Sequence, residues 1–418
     1  MLSTLFPKAY RRYTSLPVLG PLADAFDTWL VERGFRRGTR KQQLGAVRRI
    51  DRALRRRGRH RSSDVTHDDL EVCWSRSRRR GPNDPASVRN LQRFLEQRAL
   101  LSPAVPTRVS QVETLTNAYA GMLCDLRGLA PTTVHQHVRT AQAFLEALAY
   151  ETTPAHLAGA TAADIERFVR DTGSRLSRAS LQHTVAQLRS FLRFLASRDR
   201  IRSGLDEQID TPRCYRLEQL PRNLPWATVQ AFLRAIDRTT LQGLRDYTMF
   251  YLIATYGLRA CEVVSLTLDA IDWRRRLLRV APRKRGTPLL LPLTDDAGAT
   301  LVRYLRRGRP ASPWREVFLR ARAPAGILKP TAVGEAFQTW VRRSGLPIPF
   351  QGPHCLRHSY ALHLLRQGVS LKTLGDLLGH RLAESTCVYL RLDTDDLRGV
   401  ALAVPRPAGH GSRRERPR

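Results

Sequence analysis

The sequence predicts a mainly α-helical chain with one small β-sheet, arranged as two helical domains followed by a mixed α+β domain. Three observations lead there. Apolar residues recur at steps of three or four through most of the first 200 positions. Two proline-rich stretches, Leu101–Val109 and Asp210–Trp226, cut the chain into segments of about 100, 100 and 180 residues. Short β-rich runs, Arg276–Val280 and Thr287–Leu293, flank PRKRG and suit a hairpin. For 418 residues, the usual domain size of ~150 gives two or three domains. The expected domains are 1–105, 106–209 and 215–404, with a Pro/Gly/Arg-rich tail, 405–418, expected to be disordered.

In the first segment Leu44, Val47, Ile50 and Leu54 form one apolar stripe, and Val88, Leu91 and Leu95 another. In the second, the stripes are Val112, Leu115, Tyr119, Met122 and Leu126, then Val134, Val138, Ala141, Leu145 and Leu148, then Leu181, Val185, Leu188, Leu192 and Leu195. The two segments read as copies. ERGFRRGT (32–39) aligns with LRGLAPTT (126–133), VTHDDL (65–70) with ATAADI (160–165), and LQRFL (91–95) with LRSFL (188–192). Three matches in the same order favour duplication over chance. The third segment predicts helices at Arg245–Tyr256 and Arg259–Leu266, split at Gly257. Further helices are expected at Asp296–Arg307, Ala332–Arg343, His354–Arg366, Leu371–Leu378 and Ala383–Leu390.

Charge narrows the function. Lys and Arg number 70 against 37 Asp and Glu, a net +33, and the pI is about 11.3. Such a balance points to a polyanionic partner and away from an ordinary metabolic enzyme. No apolar run approaches the ~20 residues of a membrane span, and the first residues carry no secretory pattern. Six cysteines lack any Cys-x-x-Cys pair and read as reduced, mostly buried thiols of a cytoplasmic protein. Nucleic acid is therefore the expected partner. Residues 1–105 alone hold 23 basic and 10 acidic residues, a net +13, which suggests a phosphate-facing surface.

Four fragments of the third segment carry chemistry: YGLRACEVVSL, PRKRGTPLLLPL, HCLRHSYALHLL and LGHRLAESTCVYLRL. They contribute two arginines, histidines, a lysine and a tyrosine, with no His/Asp/Glu group at metal-ligand spacing. Singly, each residue has an ordinary explanation: Arg259 as a surface cation, His380 at a helix cap, Tyr389 in a core, Lys284 in an exposed hairpin loop. Jointly they fit phosphoryl transfer without metal or cofactor. Two guanidinium forks neutralise the phosphate, a tyrosine attacks it, and a lysine or histidine protonates the leaving oxygen. His354, Arg357 and His358 fall at i, i+3 and i+4 of one helix and so share a face.

The order Arg259, Lys284, His354–Arg357, His380, Tyr389 closely resembles the tyrosine recombinase, or phage integrase, family. The resemblance is strong over 215–395 and weaker over 110–200, where it implies a helical SAM-like core-binding domain. It implies site-specific DNA recombination through a 3′-phosphotyrosyl link made by Tyr389. Arg259 and Arg357 would hold the non-bridging oxygens, His354 and His380 would contact the phosphate, and Lys284 would protonate the leaving 5′-oxygen. Glu262 is expected to orient Arg259 or Lys284, and His358 to pack behind the site. The helical domains and the catalytic domain would clamp double-stranded DNA. A homo-tetramer on paired sites, with other recombinases as further partners, would be the active assembly, and the gene is expected to belong to a mobile element. The loop PRKRG departs from the family's frequent Gly-Lys-Gly turn, and residues 1–105 exceed the minimal family plan. Three roles stay open for that segment: a second clamp, an arm-site reader, or a surface for a partner recombinase. The rivals are a type IB-like topoisomerase, a non-catalytic DNA-binding accessory protein and a general nucleoid protein.

Overall fold

The computed structural model describes residues 2–78, 83–101, 110–213, 222–281, 288–380 and 384–392. Lys284, residues 102–109 of the first proline-rich stretch and 214–221 of the second, and the tail lie outside these. By internal contacts the chain divides into two compact units, one comprising 2–26 and 42–219, the other 27–41 and 220 onward. No described helix is long and apolar enough to cross a membrane.

The first 200 residues are helical: α1 (Ala23–Glu32), α2 (Arg37–Arg55), α3 (His67–Ser77), α4 (Asn83–Gln97), α5 (Gln111–Asp125), α6 (Pro131–Ala147), α7 (Ala162–Gly173) and α8 (Arg178–Ala196). The apolar stripes read from sequence are largely buried, Leu44, Leu54, Tyr119, Leu145 and Leu188 completely. Leu126 is the exception at 81% exposed. It lies one residue beyond the end of α5, where the helical period no longer fixes its direction.

Helices α5–α8 repeat the pattern of α1–α4 down to their ends. Thr66 caps α3 in a reciprocal box with Asp69, and Thr161 caps α7 in the same box with Asp164. Positive-φ residues follow α1, α2 and α4 at Gly34, Gly58 and Ala99, and follow α5, α6 and α8 at Gly128, Ala149 and Asp199. Ala99 and Asp199 hold a conformation that non-glycine residues rarely adopt, so its recurrence at one place in both segments adds to the sequence matches.

The third segment begins with α9 (Trp226–Arg234) and α10 (Leu241–Tyr256), followed by α11 (Ala260–Val264). Helix α10 starts four residues before the expected Arg245 because Thr240 caps it, accepting the Gly243 N–H at 3.0 Å. Strands β1 (Ile271–Asp272), β2 (Leu277–Val280) and β3 (Leu289–Pro292) form an antiparallel sheet in that order, with Val280 opposite Leu289. Then come α12 (Asp295–Arg307), α13 (Pro330–Ser344), α14 (His354–Arg366), α15 (Leu371–Leu378) and α16 (Glu384–Cys387).

The core of this unit centres on Phe232, Phe250 and Phe337, whose rings lie 5.1–5.9 Å apart. Buried Asp246 accepts from Arg245 and from the Trp340 indole at 3.0 Å, so the charge is compensated inside the core. The helix expected over 383–390 is shorter. It tightens at Val388 into a 3₁₀ turn through Leu392. Thr386 and Tyr389, three residues apart, are both buried, which the three-residue period of a 3₁₀ turn allows. Of the cysteines, Cys73 and Cys355 are buried, whereas Cys124 and Cys387 are exposed, against the expectation of mostly buried thiols.

Candidate active site

Helix α10 ends at Tyr256, and Gly257 turns the chain with φ +64°. A Cβ here would stand 2.6 Å from Leu378 Cδ2 and 2.8 Å from Tyr360 Cδ1. Both the left-handed backbone and the close approach of α14 and α15 therefore require glycine. Two residues on, Arg259 precedes α11. Glu262 fixes it twice, accepting its backbone N–H at 2.8 Å on one carboxylate oxygen and its Nη1 at 2.8 Å on the other.

Arg357, on α14, is 2% exposed. Its Nη1 donates to the Gly257 carbonyl and its Nη2 to the Leu378 carbonyl at 2.7 Å. Leu378 ends α15, and the left-handed Gly379 caps it. Two helix C-termini thus present carbonyls to one guanidinium. Arg259 Nη1 reaches the same Leu378 carbonyl at 3.5 Å, so both guanidiniums converge on one point. Burial, then repulsion from Arg259, push Arg357 down to about 10, which leaves it charged at neutral pH.

His380 follows Gly379. Its Nε2 lies 3.1 Å from Arg357 Nη2 and its Nδ1 2.9 Å from Thr386 Oγ1. A guanidinium can only donate, so Nε2 accepts and the ring is the neutral Nδ1–H tautomer, donating to Thr386. The protonation balance agrees: burial, then Arg357 and Arg259, lower His380 to about 4. His354 opens α14 and is exposed, with its ring edge-on to His358 at 4.4 Å between centroids.

Tyr389 is 2% exposed and packs with Tyr360, Leu362, Leu374 and Leu378. Its ring lies nearly parallel to His380 at 6.2 Å. Its hydroxyl is 3.1 Å from His358 Nδ1. Burial raises the phenol above its ordinary value, although Arg357 and Arg259 pull it down. Burial, then His354, Arg357 and His380, lower His358 to about 3, so His358 is neutral here.

The described part of the site thus brings together Arg259, Glu262, His354, Arg357, His358, His380 and Tyr389, while Lys284 lies outside the described residues. Two guanidiniums and three imidazoles surround one phenol with Glu262 as the nearby carboxylate, an arrangement suited to an anion with an electrophilic centre. Glu262 holds Arg259. His358 does more than the packing expected of it, since it is hydrogen-bonded to the tyrosine hydroxyl. Thr386, which orients His380, was missed. Its only sequence signal is a hydroxyl three residues before Tyr389 on the same buried face.

The pattern of the phage integrase family matches residues 222–395, and that of the phage integrase N-terminal SAM-like domain matches 116–199. A Sinorhizobium fredii protein named integrase/recombinase y4rA is 33% identical over 397 residues, 94% of this chain and 96% of that protein. A Lacticaseibacillus casei protein named tyrosine recombinase XerD is 31% identical over 66% of this chain and 92% of its own length. Among solved structures, a lambda integrase dimer bound to a COC′ core site has a TM-score of 0.53 at 17% identity, covering 77% of this chain and 89% of that one. The Tn1549 transposon integrase in complex with a circular intermediate DNA has a TM-score of 0.52 at 16% identity, covering 68% and 99%. These two share the fold. With a relative aligned along nearly its whole length, and the site's residues gathered about one buried tyrosine, the chain belongs to the phage integrase family of tyrosine recombinases.

Proposed function

We propose that Tyr389 is the nucleophile with which this chain cleaves and rejoins double-stranded DNA at specific sites. The observation that carries this reading is the Tyr389 hydroxyl, held by His358 beside the convergent guanidiniums of Arg259 and Arg357. A scissile phosphate binding those guanidiniums presents its phosphorus to the phenol. The Tyr389 Oη–P bond forms as the phenol proton leaves through His358 Nδ1, and the P–O5′ bond breaks, leaving a 3′-phosphotyrosine. Arg259 and Arg357 neutralise the non-bridging oxygens, His354 hydrogen-bonds them, and His380 donates to them from Nε2 once the charge of the bound phosphate has protonated its ring. Lys284 gives its proton to the departing 5′-oxygen. Attack by the 5′-hydroxyl of a partner strand reverses these steps and releases the tyrosine. The phosphotyrosine conserves the bond energy, so no nucleotide cofactor takes part.

His358 acts mainly by holding the phenol. Burial raises the phenol and, with His354, Arg357 and His380, lowers the imidazole to about 3, so transfer of the proton from Tyr389 to His358 is uphill before DNA arrives. A bound phosphate supplies the negative charge that raises the imidazoles and offsets part of that cost. Four protomers on two DNA sites form the active assembly, acting in the cytoplasm on DNA of a mobile element.

The test is a nicked suicide duplex taken from DNA flanking the gene, which traps the covalent intermediate. The native chain accumulates a protein–DNA adduct. Tyr389→Phe binds the same duplex with unchanged affinity and forms none. An adduct with Tyr389→Phe refutes the assignment. Relaxation of supercoiled DNA without paired sites, and without strand exchange, favours the topoisomerase reading instead.

A further inference from the structure

Residues 2–101 precede both matched family regions, yet their helices repeat those of the SAM-like domain. The two copies differ in charge. Residues 1–105 hold 23 basic against 10 acidic side chains, whereas 106–209 hold 12 against 10. Part of the excess lies in a groove between α2, α3 and α4, lined by Arg49, Arg52, Arg56, Arg76 and Asp84 over Ile50 and Cys73. All four arginines are exposed. Arg49 pairs with Asp84 at 2.6 Å, while Arg52, Arg56 and Arg76 have no carboxylate within ion-pair distance among the described residues.

The second copy has a groove in the same place, between α6, α7 and α8. The repeat offset of 94 sets Arg49 against Ala143 and Arg52 against Glu146, and the offset of 95 sets Arg76 against Asp171. One scaffold therefore carries a mixed-charge groove in one copy and a basic groove in the other. Solubility alone does not call for this, because interspersed charges solvate a face without mutual repulsion. Arg49, Arg52 and Arg56 follow i, i+3, i+7 along one face of α2. They span roughly 10 Å, the axial rise of about three phosphates on one DNA strand.

We propose that residues 2–101 are a second duplex-DNA grip, with Arg52, Arg56 and Arg76 contacting the phosphate backbone in addition to the contacts of the SAM-like and catalytic domains. The inference rests on DNA as the substrate, and its test separates the two. The full chain and an Arg52→Ala/Arg56→Ala/Arg76→Ala variant are titrated with a long mixed-sequence duplex between 50 and 200 mM salt, roughly the span over which phosphate contacts are read. Three lost contacts lower the slope of log K against log salt by about 2–3, so the native chain's affinity falls ~40-fold further than the variant's over that fourfold rise. The corresponding triple Arg→Lys variant keeps the charge and restores most of the slope, which excludes misfolding as the cause. An unchanged slope overturns the proposal and leaves the groove to an acidic protein partner. Loss of slope that lysine fails to restore also overturns it. Absence of any adduct from the native chain counts against the Tyr389 assignment alone.

Discussion

Replacing Gly257 with alanine tests whether the Arg357 anchor depends on backbone geometry. The position holds φ +64°, and an added Cβ meets Leu378 Cδ2 at 2.6 Å and Tyr360 Cδ1 at 2.8 Å. Left-handed backbone costs a non-glycine residue roughly 1–2 kcal/mol. Forcing a methyl into this packed contact adds about 1–3 kcal/mol, for a total of roughly 2–5 kcal/mol. The clash also has a direction. It pushes α14 and α15 away from the Gly257 carbonyl, which is one of the two carbonyls that hold Arg357. Gly345 is the internal control: its φ is +65°, but nothing stands within 4 Å of an added Cβ. Gly345→Ala is expected to lose only the backbone cost of roughly 1–2 kcal/mol and to keep full cleavage activity. Gly257→Ala is expected to lose the larger amount and at least about tenfold in adduct formation, on the scale of 1.4 kcal/mol per decade. Denaturant unfolding of the catalytic unit and suicide-substrate kinetics give the two readouts. Equal effects of the two alanines on both would refute the reasoning.

Three further outcomes are expected. His358→Ala removes a hydrogen bond to the Tyr389 hydroxyl worth about 1 kcal/mol, so cleavage slows roughly fivefold, while His358→Gln retains an acceptor and most of the rate. His358 and His380 sit below their ordinary 6.5, at about 3 and about 4, so between those values and 6.5 the unfolded chain binds more protons than the folded one. Stability therefore falls as pH drops through that window. At pH 5 the loss is up to about 2 kcal/mol for His358 and less for the more solvated His380, and calorimetry of His358→Gln should show a shallower decline. Finally, Lys284→Ala should slow cleavage of an ordinary phosphodiester ~10²–10⁴-fold, and a 5′-bridging sulfur, which leaves without protonation, should restore the rate. Failure of that rescue assigns the acid to another residue.

The legible part of this protein is what side chains encode. The fragments HCLRHSYALHLL and LGHRLAESTCVYLRL mark Arg357, His380 and Tyr389 as candidates because their chemistry and spacing are visible in the chain. Five buried faces of the helical segments were legible from period alone. Their register fails at Leu126, which stands past a helix end. The anchors of Arg357 were not legible, because the Gly257 and Leu378 carbonyls belong to the backbone and only the fold brings them to one guanidinium. Sequence marked Gly257 merely as a break between helices. His358 looked like packing because its partner, Tyr389, is 31 residues away. The 3₁₀ turn at Val388 escaped the helical period because Thr386 and Tyr389 fit steps of three under either geometry.

The most direct test of the central claim is to map the covalent adduct by mass spectrometry. After nuclease and trypsin digestion, the account predicts a nucleotide 3′-phosphate on the peptide LAESTCVYLR, residues 382–391, with fragmentation placing it on Tyr389. The modification on Ser385 or Thr386, on a different peptide, or linked through a 5′-phosphate would contradict it.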